Sequence, residues 1–257
     1  SYCCCQPWWA HRCGVFAEYL LLRPGSADMV YAIEQNDVVP TASPTGPIGR
    51  VNIDDSSGGR LGFTLCASEC TSLLVSYTGW QGKTNHTLHR QGTNVLNSQV
   101  IHPSTLTVGS SSLQSSAELE MDFQIIDLAY RHVLRANDCS VINWLGGFRY
   151  GSMTQDLLAQ QDVSVATGLV SVDTDVDFSG FGLLFGLDAE RRSCHSGLMC
   201  YGKALGSFLA GDWKGSYAQT NQISSGVVAN RYEDYRVTPV LEAEFGIGYR
   251  SPCGRCR

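Results

Sequence analysis

The sequence has little charge and no long apolar run. Charged residues make up 16% of the chain, against about 25% in soluble domains. No stretch of about 18 apolar residues occurs, so no transmembrane helix is predicted, although the strands of a membrane barrel give a much weaker hydropathy signal. The formal net charge is -6, which argues against a nucleic-acid partner because nucleic acids are bound by basic surfaces.

The sequence also lacks the common motifs of enzyme sites. It has no phosphate-binding glycine loop before a helix and no Gly-x-Ser-x-Gly elbow. Glu242 and Glu244 are two residues apart and form a candidate acid/base pair of a carbohydrate-active enzyme. We favour the alternative, in which both are lumen or solvent carboxylates near Arg236 and Arg250. We therefore predict no enzyme activity, no catalytic residue and no cofactor.

One segment, residues 235–249, alternates over its whole length. Its first face carries Tyr235, Val237, Pro239, Leu241, Ala243, Phe245, Ile247 and Tyr249. Its second face carries Arg236, Thr238, Val240, Glu242, Glu244, Gly246, Gly248 and then Arg250. Alternation of this kind predicts a strand, and about 15 residues is far above the usual five or six. A long strand with an apolar face, aromatic ends and a charged face is typical of a transmembrane barrel wall, and a strand of a soluble sheet is the alternative.

Similar strands are predicted along the rest of the chain. They cover residues 14–23, 60–66, 71–80, 117–131, 139–151, 181–189 and 198–210, and an interruption of the alternation near Asp127 predicts a β-bulge. Residues 24–60 and 81–116 are rich in polar and turn-forming residues and predict two long loops, the first with short strands near Val30 and Val51. The predicted fold is all-β, an antiparallel transmembrane β-barrel of about 10–12 strands with long loops on one side. We expect a single domain over residues 1–257, with a Cys/Trp-rich segment at 1–13 and a Cys-rich tail at 251–257.

The strand phases assign residues to the two faces of this predicted barrel. Lipid or a partner barrel is expected to contact Phe148, Phe185, Leu241 and Phe245. The expected pore-lining residues are Glu118, Glu120, Asp122, Arg149, Asp188, Glu190, Lys203, Arg236, Glu242, Glu244 and Arg250. With seven acids against four bases, an open lumen would have a negative potential and a mild preference for cations.

Eleven cysteines indicate an exported protein in an oxidising compartment. The disulfide candidates are Cys3, Cys4, Cys5, Cys13, Cys66, Cys70, Cys139, Cys194, Cys200, Cys253 and Cys256, and their pairing cannot be derived from the sequence. The odd number leaves at least one thiol free or paired with another chain. A zinc site built from the Cys253-x-x-Cys256 pair and Cys3 to Cys5 is the alternative. We favour disulfides that join the two termini and predict no metal.

Five motifs together resemble a known family. They are Val15-Phe-Ala-Glu-Tyr-Leu-Leu-Leu-Arg-Pro24, Phe123-Gln-Ile-Ile-Asp-Leu-Ala-Tyr-Arg131, Leu145-Gly-Gly-Phe-Arg-Tyr150, Gly182-Leu-Leu-Phe-Gly-Leu-Asp188 and Val237-Thr-Pro-Val-Leu-Glu-Ala-Glu-Phe-Gly246. In order and spacing they look like the Legionella-type major outer-membrane protein family of pore-forming β-barrels, common in planctomycetes. The resemblance implies an outer-membrane barrel with a pore-forming or envelope-structural role and no enzyme activity. The many cysteines are unusual for a porin and favour a cross-linked, structural assembly.

The first functional hypothesis is therefore a pore-forming or structural barrel of the bacterial outer membrane. Its expected partners are outer-membrane lipid and either further copies of this chain or other envelope proteins, joined through disulfides. The second hypothesis is a soluble, secreted all-β binding module of the lipocalin or sandwich type. The carbohydrate-active enzyme is the third. Dependence on detergent separates the first hypothesis from the other two.

Overall fold

The computed structural model is a large antiparallel sheet. It describes residues 13–37, 39, 42–103, 112–137, 139–163, 168–193, 198–222 and 228–249. The eleven strands are β1 (Gly14–Leu22), β2 (Met29–Gln35), β3 (Pro44–Val51), β4 (Ser56–Ser68), β5 (Thr71–His89), β6 (Val95–Ser98), β7 (Ser112–Asn137), β8 (Ser140–Val163), β9 (Gly168–Arg192), β10 (Leu198–Asn221) and β11 (Val228–Tyr249). The all-β, antiparallel fold class confirms the prediction from the sequence, and the sheet has eleven strands in all. In the described residues, no helix is long and apolar enough to cross a membrane.

Eight of the strands form a continuous wall. Their order is β1-β4-β5-β7-β8-β9-β10-β11, and each strand is antiparallel to its neighbours. The shorter strands β2, β3 and β6 pair beside this wall, and β6 joins it through β7. β1 and β11 are the two edges of the wall, and no pairing between them occurs in the part of the chain that the structure describes. The wall is a curved sheet consistent with a β-barrel.

The connections between the wall strands differ at its two ends. At one end, β4 joins β5, β7 joins β8, and β9 joins β10 through two to five residues each. At the other end, β8 joins β9 and β10 joins β11 through four and six residues. The two longer connections also lie there, since the chain from β1 to β4 includes β2 and β3, and the chain from β5 to β7 includes β6. We name these the short-turn end and the long-loop end. Barrels of the outer membrane have short periplasmic turns and longer extracellular loops.

The two predicted loops contain more strand than expected. Strands were expected near Val30 and Val51, and β2 and β3 lie there. The second loop, predicted over residues 81–116, is much shorter, because β5 continues to His89 and β7 begins at Ser112. Its polar residues pair in the ladder of β5 with β7, beyond the apolar part of the sheet, and many of their side chains are exposed. A polar composition of this kind does not distinguish such a strand from a loop.

The outer face of the wall has a band of exposed apolar and aromatic side chains, which we name the apolar band. Its members are Tyr19, Leu21, Leu61, Phe63, Leu65, Tyr77, Ile126, Leu128, Tyr130, Trp144, Phe148, Tyr150, Phe181, Leu183, Phe185, Leu187, Phe208, Tyr235, Val237, Leu241, Phe245, Ile247 and Tyr249. A soluble protein rarely exposes a continuous apolar surface of this kind. The expected outer positions of Phe148, Phe185, Leu241 and Phe245 agree with this band.

Near the long-loop end, the apolar side chains lie on the inner face instead. A buried cluster there joins Tyr31 and Ala32 of β2 with wall residues such as Leu119, Leu157 and Val170. Strands β2, β3 and β6 thus pack against the inside of the wall, and we name this region the cap. The cap also has a hydrogen bond between the Tyr31 hydroxyl group and the His86 ring, with 2.6 Å between Tyr31 Oη and His86 Nδ1. Burial raises the pKa of Tyr31 to about 12, so its hydroxyl stays protonated at physiological pH.

Candidate functional site

The inner face of the wall holds a group of charged side chains between the cap and the short-turn end. We name this group the charged layer, and it consists of Glu18, Arg60, Asp127, Arg149, Lys203, Glu242 and Glu244. These residues come from six different strands of the wall. Each lies on the inner face because it alternates with exposed apolar neighbours, as Glu242 does with Leu241. Strand alternation therefore places all of them in the interior.

Arg149 is the most deeply buried member of the charged layer. Its side chain is only 1% exposed. The Nε and Nη2 groups donate to the two carboxylate oxygens of Asp127, over 2.6 and 2.8 Å. Nη2 also donates to Oε2 of Glu242 over 2.9 Å. A guanidinium group suits this place because its planar fork matches a carboxylate with two parallel hydrogen bonds.

Arg60 joins the two edges of the wall. Its Nη1 group lies 3.0 Å from Oε2 of Glu18 on β1 and 2.9 Å from Oε2 of Glu244 on β11. Its Nη2 group donates to Oε1 of Glu242 over 3.0 Å, and Lys203 Nζ lies 3.8 Å from the same oxygen. Because β4 and β11 are far apart in the order of the sheet, these contacts require the sheet to curl until its edges face each other.

Two further layers of side chains fill the interior between the charged layer and the short-turn end. The first is apolar and consists of Ala129, Leu145, Leu184 and Leu205, with Leu74 packed against it. The second is polar. It is centred on Asp188, which forms an ion pair with Arg131 over 3.0 Å and accepts a hydrogen bond from Asn143. The interior is thus occupied by side chains from the cap almost to the short-turn end.

The structure divides the expected pore-lining residues into three sets. Arg149, Asp188, Glu190, Lys203, Arg236, Glu242 and Glu244 lie on the inner face. Arg250 lies outside the described residues. Glu118, Glu120 and Asp122 share the outer face with Ile126, because the register of β7 runs through Asp127 without the expected bulge. The register shifts within β7 lie at Ser112/Gln114 and Val133/Arg135 instead.

The placement of these carboxylates changes the expected charge of the interior. Glu118 and Glu120 form ion pairs with Lys83 on the outer face, beyond the apolar band. Of the expected set, four acids (Asp188, Glu190, Glu242 and Glu244) and three bases (Arg149, Lys203 and Arg236) are on the inner face. A ratio of four to three is close to balance, so a strongly negative lumen no longer follows.

Four charged residues of the layers described above were not expected from the sequence, namely Glu18, Arg60, Asp127 and Arg131. A signal for two of them was present, since Glu18 is the only charged residue of β1 and Arg60 is the only charged residue of β4. Asp127 was taken for the position of a bulge. Its partner Arg149 lies directly opposite it in the register of β7 and β8, and only that register identifies the pair.

The geometry does not favour the enzyme hypothesis. Glu242 and Glu244 are both held in ion pairs by Arg60, and Glu242 is also bound by Arg149. A general acid or base needs a carboxyl group that can reach a substrate and exchange a proton. Among the described residues, no group of three or more His, Cys, Asp or Glu side chains is arranged to hold a metal ion.

The described cysteines lie at one end of the wall. Cys13 directly precedes β1, Cys66 and Cys70 flank the turn between β4 and β5, Cys139 lies between β7 and β8, and Cys200 is near the start of β10. All these positions belong to the short-turn end. Cys13, Cys66 and Cys200 are exposed free thiols, whereas Cys70 and Cys139 each have an interaction partner.

The other six expected disulfide candidates, Cys3, Cys4, Cys5, Cys194, Cys253 and Cys256, lie outside the described residues. In the sequence they precede β1, connect β9 to β10, or follow β11. At the short-turn end, Cys13 Sγ lies close to the backbone of Cys66, whose N–H donates to it over 3.1 Å.

Comparison with known proteins agrees with the apolar band and the antiparallel wall. No curated protein and no solved structure matches the chain significantly. The model of one protein family, described as the Legionella pneumophila major outer membrane protein precursor, matches residues 5–255, nearly the whole chain. This match confirms the resemblance and the location that the sequence predicted. The chain belongs to the Legionella major outer membrane protein family and is a protein of the bacterial outer membrane.

Proposed function

We propose that the protein is a sealed outer-membrane barrel with a structural role in the cell envelope. The observation that carries this proposal is the charged layer. Arg149 and Arg60 reach across the interior to Glu242 from two different parts of the wall. Ion pairs of this kind occupy the space that an open channel would need.

The number of wall strands supports the same proposal. A barrel of about eight strands has an interior just wide enough for side chains to fill, whereas open porins need about 16 to 18. The wall has eight strands. The cap adds a dry, apolar core at the long-loop end, where the buried side chains include Tyr31, Leu96 and Leu119. Solute would have to pass the cap and the charged layer in turn.

Planar-bilayer recordings test the sealed barrel. We expect the purified protein to insert without a stable conductance in 1 M KCl, because the interior is closed by side chains. As a control for insertion, the protein in the same vesicles should resist extraction by alkaline carbonate. A stable, long-lived conductance would contradict the sealed barrel and favour the pore-forming alternative.

We further propose that cysteines at the short-turn end join this barrel to its neighbours in the envelope. The free, exposed thiols of Cys13, Cys66 and Cys200 support this role. The short-turn end of an outer-membrane barrel faces the periplasm, which favours disulfide formation. The expected partners are further copies of this chain or other envelope proteins.

Non-reducing electrophoresis of whole envelopes tests the disulfide assembly. We expect species of high mass that collapse to a single 28 kDa band after reduction. The variant Cys200→Ser should change the pattern of these species, and the matched control Ser207→Ala on the same strand should not. Complete alkylation of all eleven thiols in native envelopes without a reductant would contradict the disulfide assembly.

A further inference from the structure

A cavity of about 560 Å³ opens between the two edges of the wall. Its lining includes Tyr19 of β1 and Leu241 of β11, which are 76% and 86% exposed on the outer face. The lining also includes Arg149, which is 1% exposed in the interior. The cavity therefore runs from the lipid-facing surface, through the gap between β1 and β11, to the charged layer. Its volume is within the range of about 300–1,000 Å³ found for ligand pockets.

The side of the cavity nearer the cap is apolar. It is formed by Leu20 and Leu22 of β1, Phe123 and Ile125 of β7, and Val240 of β11. These side chains lie on the inner face, away from the bilayer. An apolar lining that continues into the apolar band suits a hydrocarbon chain, because the chain would exchange one apolar environment for another without exposure to water.

Arg149, which lines the inner end of the cavity, has a hydrogen-bond donor without a partner. Nη1 of Arg149 is buried and makes no hydrogen bond within the described residues, although Nε and Nη2 of the same side chain do. A buried N–H group of a guanidinium that stays unpaired is costly. A ligand that reaches this point with an acceptor oxygen would satisfy it.

The charge of the lining selects the kind of acceptor. Four carboxylates (Glu18, Asp127, Glu242 and Glu244) and two guanidinium groups (Arg60 and Arg149) line the inner end. Lys203 lies 3.8 Å from Glu242, so one net negative charge remains. The excess of negative charge disfavours a carboxylate or phosphate on the ligand. A neutral carbonyl oxygen can accept from Arg149 Nη1 without this repulsion.

We propose that the cavity binds an ester-linked acyl chain of a membrane lipid, which enters sideways between β1 and β11. The chain packs against Leu20, Phe123 and Val240, and its ester carbonyl accepts a hydrogen bond from Arg149 Nη1. The proposal goes beyond the sealed barrel, because a lateral site for lipid does not require or prevent conductance along the barrel axis.

Fluorescence quenching of Trp80 tests the lipid site. The indole ring of Trp80 stacks on the ring of Phe123, with 5.5 Å between their centroids, and so reports on the cavity. The other four tryptophans, Trp8, Trp9, Trp144 and Trp213, are replaced by Phe. The probe is a monoacylglycerol with a nitroxide on its acyl chain, added to the protein in detergent. We expect saturable quenching of Trp80.

Two comparisons make the test specific. Leu20→Phe fills the cavity and should weaken binding of the probe at least about tenfold, because overpacking a confined site is costly. Leu21→Phe, one residue along on the outer face, should leave binding unchanged, and circular dichroism should show a β-sheet spectrum for both variants. The ether analogue of the probe, which lacks the carbonyl, and the fatty acid with the same chain should both bind about tenfold more weakly.

Three outcomes would overturn the proposal. Quenching that rises without saturation would mean that the probe only enters the micelle. Equal binding by the ester and the ether would mean that the carbonyl does not contact Arg149 and that water satisfies its N–H group. Equal effects of Leu20→Phe and Leu21→Phe would place the probe outside the cavity. A stable conductance, in contrast, would contradict the sealed barrel and leave the lipid site standing.

Discussion

The variant Arg149→Ala is expected to lower the free energy of unfolding by about 3–5 kcal/mol. Arg149 is buried and forms ion pairs with Asp127 and Glu242. Removing the guanidinium leaves the Asp127 carboxylate buried without a cation. The loss follows from this unpaired charge more than from the net stabilisation that the ion pair supplies. Urea unfolding in phospholipid vesicles, followed by tryptophan fluorescence, measures the change.

Two further variants control this experiment. Lys214→Ala removes an exposed ion pair with Glu233, in which both side chains are more than half exposed, and should change stability by at most about 1 kcal/mol. The double variant Arg149→Met with Asp127→Leu removes both charges and should recover most of the loss, because Glu242 keeps Arg60 and Lys203. If Arg149→Ala costs no more than Lys214→Ala, the charged layer does not close the interior.

The variant Leu241→Arg is expected to cost about 2–4 kcal/mol, the range for an arginine that faces lipid at the centre of the bilayer. Leu241 is near the middle of the outer-face run from Tyr235 to Tyr249 and is 86% exposed. The cost arises because the bilayer core cannot hydrate a guanidinium group. The same unfolding assay in vesicles measures it.

Ala229→Arg on the same strand is the matched control. Ala229 is also exposed on the outer face, but it lies near the long-loop end, beyond the apolar band. There the guanidinium group would be in water, so we expect a change below about 0.5 kcal/mol. Equal costs at Leu241 and Ala229 would mean that the apolar band does not face lipid.

For residues 235–249 of β11 and residues 181–189 of β9, the sequence predicted correctly which side chains lie on the outer face and which on the inner face. In residues 235–249 one solvent, lipid, covers the outer face along the whole segment, so alternation reports the two faces directly. Leu241 and Phe245 are exposed, and Glu242 and Glu244 point to the interior. The same holds for Phe185 on the outer face and Asp188 on the inner face of β9.

In β7, the interruption of the alternation near Asp127 is not caused by the predicted bulge. Leu119 is fully buried in the cap, whereas Leu128 is exposed in the apolar band. Between these two residues the strand passes from a region with a dry interior and a wet exterior to one with a polar interior and a lipid exterior. The apolar side chains therefore change face without any change of register. A bulge and a change of environment give the same alternation in sequence, and only the pairing with β5 and β8 separates them.

The charged layer was only partly predictable from the sequence. Glu242, Glu244 and Arg149 were identified on the inner face, because each lies on a long alternating strand. Their pairing was not identified, since β4, β8 and β11 meet only when the sheet curls. The number of acids and bases in a predicted lumen is therefore a weaker guide to function than their contacts, which compensate nearly every charge in this layer.

The most direct test of the sealed barrel in the membrane is the accessibility of nitroxide labels along β11. The labels are attached through a ketone-bearing unnatural residue, which leaves the eleven native cysteines untouched. The outer-face positions are Val237, Leu241 and Phe245, and the inner-face positions are Thr238, Val240 and Gly246. In vesicles, we expect labels at the first three to collide with oxygen dissolved in the bilayer. Labels at the second three should not collide with a water-soluble nickel chelate, and labels at Thr238 and Gly246 should not collide with oxygen either. Strong collisions with the nickel chelate at Val240 would reveal a water-filled channel, and accessibility without a period of two would contradict the membrane-spanning wall.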